Sequence, residues 1–157
     1  MGTYSFKSVG KTVEQRLVEK LELSKQPIGI KTPLALDHGD GSEIFVTYTK
    51  LSDTVKDNLR NLILTNWGER LCMYKFGANI KPLMSELATG DEFDAATIER
   101  INDAVSKWMP YVSLESYVSS SDRIDNKNLA RINLLITYSV PALGVTNEQL
   151  EVNLSAM

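Results

Sequence analysis

An α+β fold is predicted, with a small antiparallel sheet of about three strands packed against two to three helices, preceded by an extended N-terminal arm. Three features of the sequence predict it. Apolar residues recur at helical spacing in mid-chain, at Val55, Leu59, Leu62 and Ile63, and again at Ile98, Ile101, Val105 and Trp108. After Pro110 the period changes to two, most clearly at Ala130, Ile132, Leu134, Ile136, Tyr138 and Val140. Residues 1–50 carry too few apolar positions to build a core alone. The sequence therefore divides into an arm with a short helix (1–50) and an α+β domain (51–157).

In the arm, Thr12-Val13-Glu14-Gln15 fits a capping box that opens a helix ending near Leu23. Val13, Leu17, Val18 and Leu21 form one modest stripe, and so short a helix needs a surface to lie on. Pro27, Gly29 and Pro33 favour extended chain, Asp37 to Ser42 a loop, and Glu43 to Lys50 a strand or extended arm.

In the domain, Ser52 or Asp53 can cap a helix that runs to about Asn66 and stops at Gly68. A loop follows to Gly77, packed by Leu71, Tyr74 and Phe76. Pro82 suits the first turn of a short helix to about Leu87. Asp94 can cap the next helix, which Pro110 ends. Val112, Leu114 and Val118 then face one way, and Ser113, Glu115 and Tyr117 the other. Asp122 to Asn128 is a polar connection. In the long strand, Arg131, Asn133, Thr137 and Ser139 oppose the apolar set. Pro141 to Asn147 connects it to a last strand in which Leu150, Val152 and Leu154 alternate with Glu151 and Asn153. Three strands with one apolar face need covering, and the two helical stripes supply it.

Composition narrows the function. The chain has 157 residues, enough for one domain with a real core. Its formal charge is −3 and its lysines and arginines are scattered, which argues against nucleic acid as a partner. The Lys7, Lys11, Arg16, Lys20 and Lys25 series alternates with Glu14, Glu19 and Glu22, as on a solvated helix face. No apolar run approaches the ~20 residues of a membrane span. One cysteine (Cys72) and one histidine (His38) cannot make an internal disulfide or the usual zinc set, and no cofactor is implied. There is no phosphate-binding glycine loop and no nucleophile elbow. Of the acids that could serve glycoside hydrolysis (Glu86, Asp91, Glu92 and Asp94), none sits in an apolar niche that would raise its pKa. Asp91 and Glu92 suit a helix N-terminus instead.

The run Asn58 to Arg70 joins a helix to a charged loop, and Phe76-Gly77 follows. Leu64, Thr65, Gly68, Arg70, Phe76 and Gly77, with the later helix–Pro110–strand order, resemble the signature of the lysozyme-like baseplate wedge family of contractile phage tails. Its relatives include subunits of type VI secretion systems and of phage-derived injection machines. The resemblance covers roughly Lys50 to Leu154. Pro27 to Leu34 also resembles the leading segment of longer members from T-even-like phages of marine bacteria.

That resemblance implies a structural subunit rather than an enzyme. It would sit in the virion tail baseplate after assembly in the host cytoplasm, bound to larger wedge proteins, with a small sheet from which the tail sheath starts. The family's traditional name implies the alternative, a peptidoglycan-degrading glycosidase. Many members carry an acid, Pro and Arg at the end of the last helix. Here the positions read Met109-Pro110-Tyr111, and only the proline matches.

The partner-binding candidates are Trp108, Met109, Pro110 and Tyr111 as an apolar anchor, with Glu69 and Arg70 on the loop. Trp108 also continues the helix stripe, and Glu69 and Arg70 also suit pinning their own loop. A further candidate is the Leu150, Val152 and Leu154 strand, or the opposite edge, as an acceptor of a partner strand. Gly68 and Gly77 serve backbone geometry beside Phe76. The arm is expected to lie across neighbouring subunits and to order on assembly.

Overall fold

A computed structural model describes residues 12–23, 27–36, 44–86, 90–123 and 130–155. The chain forms two compact units, Met1–Thr54 and Val55–Met157.

The first unit contains α1 (Val13–Leu23) and a two-stranded antiparallel ladder of β1 (Gly29–Ile30) and β2 (Thr47–Tyr48). The capping box forms as the sequence predicts. The Gln15 N–H donates to Thr12 Oγ1 (3.2 Å), and the Thr12 N–H donates to Gln15 Oε1 (3.0 Å). A Leu36–Phe45 bridge extends the ladder, so part of the expected strand or arm is paired. Val13, Leu17 and Val18 remain exposed. The loop expected at Asp37 to Ser42 lies outside the described residues.

The α+β prediction holds for the second unit. It is built from α2 (Leu51–Leu64, whose first turn belongs to the first unit), α3 (Lys81–Glu86), α4 (Gly90–Trp108), β3 (Ser113–Arg123), β4 (Ala130–Val140) and β5 (Val145–Ser155). The sheet is antiparallel in the order β3-β4-β5, leaving β3 and β5 as edges. Val55, Leu59, Leu62 and Ile63 of α2 and Ile101, Ala104 and Val105 of α4 share one buried cluster with the inner sheet face. That face is Ile132, Leu134, Ile136, Tyr138 and Val140 of β4 with Leu150, Val152 and Leu154 of β5. Lys56 Nζ lies 3.2 Å from Glu148 Oε1 and ties α2 to β5.

Several boundaries differ from the sequence reading. Helix α2 begins at Leu51, so Ser52 and Asp53 lie inside its first turn and do not cap it. The Lys50 carbonyl accepts from the Thr54 N–H and hydroxyl there. Helix α4 begins at Gly90, because nothing from Asp91 to Trp108 breaks a helix. Asp94 is therefore not its cap, and its carboxylate accepts from the Tyr117 hydroxyl at 3.3 Å. Leu71 and Tyr74 do not pack the loop: they are 90% and 71% exposed. Pro141–Leu143 is a single tight turn closed by the left-handed Gly144, so β5 starts at Val145, five residues before Leu150.

The largest correction is in β3. A bulge between Leu114 and Ser116 adds one residue opposite β4, and one extra residue exchanges the two faces of everything beyond it. Tyr117 therefore packs against the core, while Val118 is 56% exposed. The Tyr117 hydroxyl donates to Asp94, and burial with the Asp94 charge raises its pKa. A second irregularity, between Tyr138 and Val140, buries Ser139, which alternation places on the outer face.

Candidate functional site

The residues singled out around the loop converge on one groove of ≈ 610 Å³. The face of α2 carrying Asn58, Asn61 and Leu62, with Thr65 just past its end, forms one side. Glu69, Arg70 and Phe76 of the loop, Trp108 at the end of α4, and Met109 and Tyr111 after it form the rest.

Two glycines shape the loop. Gly68 has φ +85°, and its N–H donates to the Tyr74 carbonyl at 2.8 Å. Gly77 has φ +102°, and a Cβ there would lie 2.1 Å from the Thr65 carbonyl oxygen. That close approach lets the Ala78 and Asn79 N–H groups donate to the Leu62 and Thr65 carbonyls, which the end of α2 leaves unpaired.

Glu69 is spent on the same loop. Its carboxylate accepts from Asn66 Nδ2 (2.8 Å) and from the Asn66 N–H (2.7 Å). These two bonds, in that order, hold its pKa below the ordinary value, with the Lys81 charge adding a little and slight burial opposing. Of the two roles open to Glu69, pinning the loop is the one visible in its contacts. A folded pKa below the unfolded one stabilises above the unfolded pKa and is lost as pH falls through the folded one. Glu69→Gln is therefore expected to lower the melting temperature at neutral pH and to leave it unchanged in acid. Melting curves across that range check this.

Arg70 differs. Its Cζ lies 4.2 Å from the centroid of Phe76, a cation–π contact. The Phe76 ring in turn meets Trp108 edge-on, with centroids 5.2 Å apart and planes at 61°. Trp108 is half-buried and also lines a neighbouring groove of ≈ 750 Å³. Across that second groove Arg100 donates to the Asn79 carbonyl (2.6 Å) and lies over Trp67, whose indole N–H donates to the Gly77 carbonyl at 3.1 Å.

The remaining candidates fall differently. Met109 is buried, so its side chain belongs to the core, while Pro110 and Tyr111 are exposed, Tyr111 at 46%. Leu150, Val152 and Leu154 are at most 3% exposed on the inner face of β5, away from the groove. Their side chains cannot meet a partner, and only the backbone rim of that edge strand can. The Asn58–Asn61–Thr65 face was missed. Its signal was two asparagines three apart in mid-helix, where asparagine is a poor helix former. Among the described residues, no group of three or more His, Cys, Asp or Glu side chains is placed to hold a metal ion. No described helix is long and apolar enough to cross a membrane.

No family model matches the chain, and no curated protein matches it. Solved structures do. A chain of the six-fold symmetrised baseplate of the anti-feeding prophage is 19% identical, with a TM-score of 0.57 over 71% of this chain and 82% of that one. A Geobacter sulfurreducens protein provisionally named a tail lysozyme is 18% identical, with a TM-score of 0.50 over 71% of this chain and 94% of its own. A chain of the post-contraction pyocin R2 baseplate aligns at 15% identity and a TM-score of 0.47 over 68% and 97%. At these identities the likeness is one of fold, and the fold is one that a chain of the anti-feeding prophage baseplate also has.

Proposed function

We propose that this chain is a structural subunit of a contractile-tail baseplate, docked to larger wedge proteins and offering its sheet to the first ring of tail sheath. The observation that carries the reading is the fold shared with a chain of the anti-feeding prophage baseplate. The groove is where a wedge neighbour sits. It combines an arginine, three aromatic rings and asparagine amides, the mixture that protein interfaces favour.

The sheath contact belongs to a sheet edge. Each edge strand carries one irregularity, at Leu114–Ser116 in β3 and between Val145 and Glu148 in β5, and runs regularly beyond it. An added strand would pair with the backbone of one of these regular stretches, the Leu150 to Leu154 strand or the opposite edge. The exposed Val13, Leu17 and Val18 of α1 are a second surface that a neighbour covers in the assembled tail.

The name of the Geobacter protein raises a second reading, cleavage of peptidoglycan. That chemistry needs two carboxyl groups across a cleft, one with a raised pKa. The carboxylate lining the groove is Glu69, and its pKa is lowered, the wrong direction for a general acid. Glu92 is exposed. The side chains of Glu86 and Asp91 lie outside the described residues.

Co-expression with candidate wedge and sheath proteins tests the proposal. The expected result is co-elution with a wedge protein, and no clearing of cell-wall gels by the purified chain. A chain that elutes alone beside every candidate and clears the gel, with clearing lost in Glu86→Gln or Glu92→Gln, would overturn it.

A further inference from the structure

We infer that the groove receives an acidic side chain of a neighbouring protein, paired with Arg70, next to a large apolar side chain packed on Phe76, Trp108 and Tyr111. This rests on the docking reading above and adds the chemistry of the partner.

The two charged residues of the groove, Glu69 and Arg70, differ in what they already bind. Both oxygens of Glu69 already accept hydrogen bonds from Asn66. Arg70 is exposed, and among the described residues no carboxylate lies within ion-pair distance of it. The described ion pairs are Lys56–Glu148 and Arg60–Asp57, so the two nearby cations of α2 are matched and Arg70 is not.

Its geometry is prepared for a carboxylate. The guanidinium uses its flat surface on Phe76, which leaves its N–H groups unspent. Those groups form a planar fork that fits a carboxylate with two parallel hydrogen bonds. Phe76 is itself fixed by its edge-on contact with Trp108, so the cation is positioned before a partner arrives. Leu62, Phe76 and Trp108 give an apolar wall, and the half-exposed Tyr111 ring leaves room beside it. An acid next to a bulky apolar residue on one partner segment matches both parts.

A nucleic-acid backbone is a poor occupant. The groove lining has one cation, the chain carries −3 overall, and phosphate chains require several matched cations.

The test uses the full chain co-purified with its wedge partner and compares R70Q, R70K and the unaltered protein at low and high salt. The partner's affinity for R70Q is expected to fall about tenfold at low salt and to lose most of its salt dependence, while the melting temperature of the free chain stays the same. R70K is expected to fall in between, since it keeps the charge without the fork. A partner Asp or Glu changed to Asn or Gln should reproduce R70Q and add nothing to it. A complex that forms equally well with R70Q sinks the carboxylate and leaves docking intact. Failure of the unaltered chain to form any complex sinks the docking reading, and this inference with it.

Discussion

Gly77→Ala is expected to destabilise the α+β unit by roughly 3–5 kcal/mol, the sum of backbone strain at positive φ and a forced overlap. The atom in the way is a backbone oxygen: the new Cβ would lie 2.1 Å from the Thr65 carbonyl oxygen, which cannot swing aside as a side chain can. That carbonyl accepts from the Asn79 N–H, so moving it also disturbs the end of α2 and the groove wall. Gly68→Ala is the control. It too has positive φ, but its nearest neighbour is the ring of Tyr74 at 3.2 Å, and that ring is 71% exposed and free to turn. A loss of about 1–2 kcal/mol fits the backbone term alone. Urea unfolding of the two variants checks the difference. Equal losses would mean that close approach to the helix end is not what requires glycine at 77.

Leu134→Ala should cost about 3 kcal/mol, and Leu135→Ala less than about 1 kcal/mol. Leu134 is fully buried at the centre of β4, and its deletion leaves a cavity under α2 and α4. Leu135 points to the other face, in a row with the exposed Val118 and Glu151. Nothing in that row closes into a core. Chemical unfolding of both variants is the measurement, and similar losses would mean that the outer face is also packed.

Much of this was legible in the residues. The alternation from Ala130 to Val140 reports a central strand with one buried face, and Leu134 and Leu150 sit where that pattern puts them. The Val55–Ile63 stripe was equally clear, because its spacing is met by four side chains that all become buried. The bulge in β3 was not legible. One added residue among Glu115, Ser116 and the serines that follow leaves no mark in hydropathy, yet it decides that Tyr117 points in and Val118 out. The start of β5 was hidden because an edge strand can carry Thr146, Asn147 and Gln149 facing water. Leu71 and Tyr74 misled for the opposite reason, since apolar character alone does not bury a residue at a loop tip.

For the groove, glycine and Phe76 spacing pointed to the loop, and aromatic content pointed to the end of α4. That the two meet on one side of α2 is a tertiary fact. Nothing local to Asn58 or Arg70 specifies that they line the same groove as Tyr111. Met109 shows the limit from the other side. It sits between an exposed proline and a half-buried tryptophan, and only the packed fold decides that it turns inward.

Docking through this groove is most directly tested by a cryo-EM reconstruction of the tail that contains the chain. Density from a wedge neighbour should fill the space between Asn61, Arg70 and Tyr111, with an acidic side chain against the guanidinium. A tail in which this subunit is present and that space stands open to solvent would contradict the account.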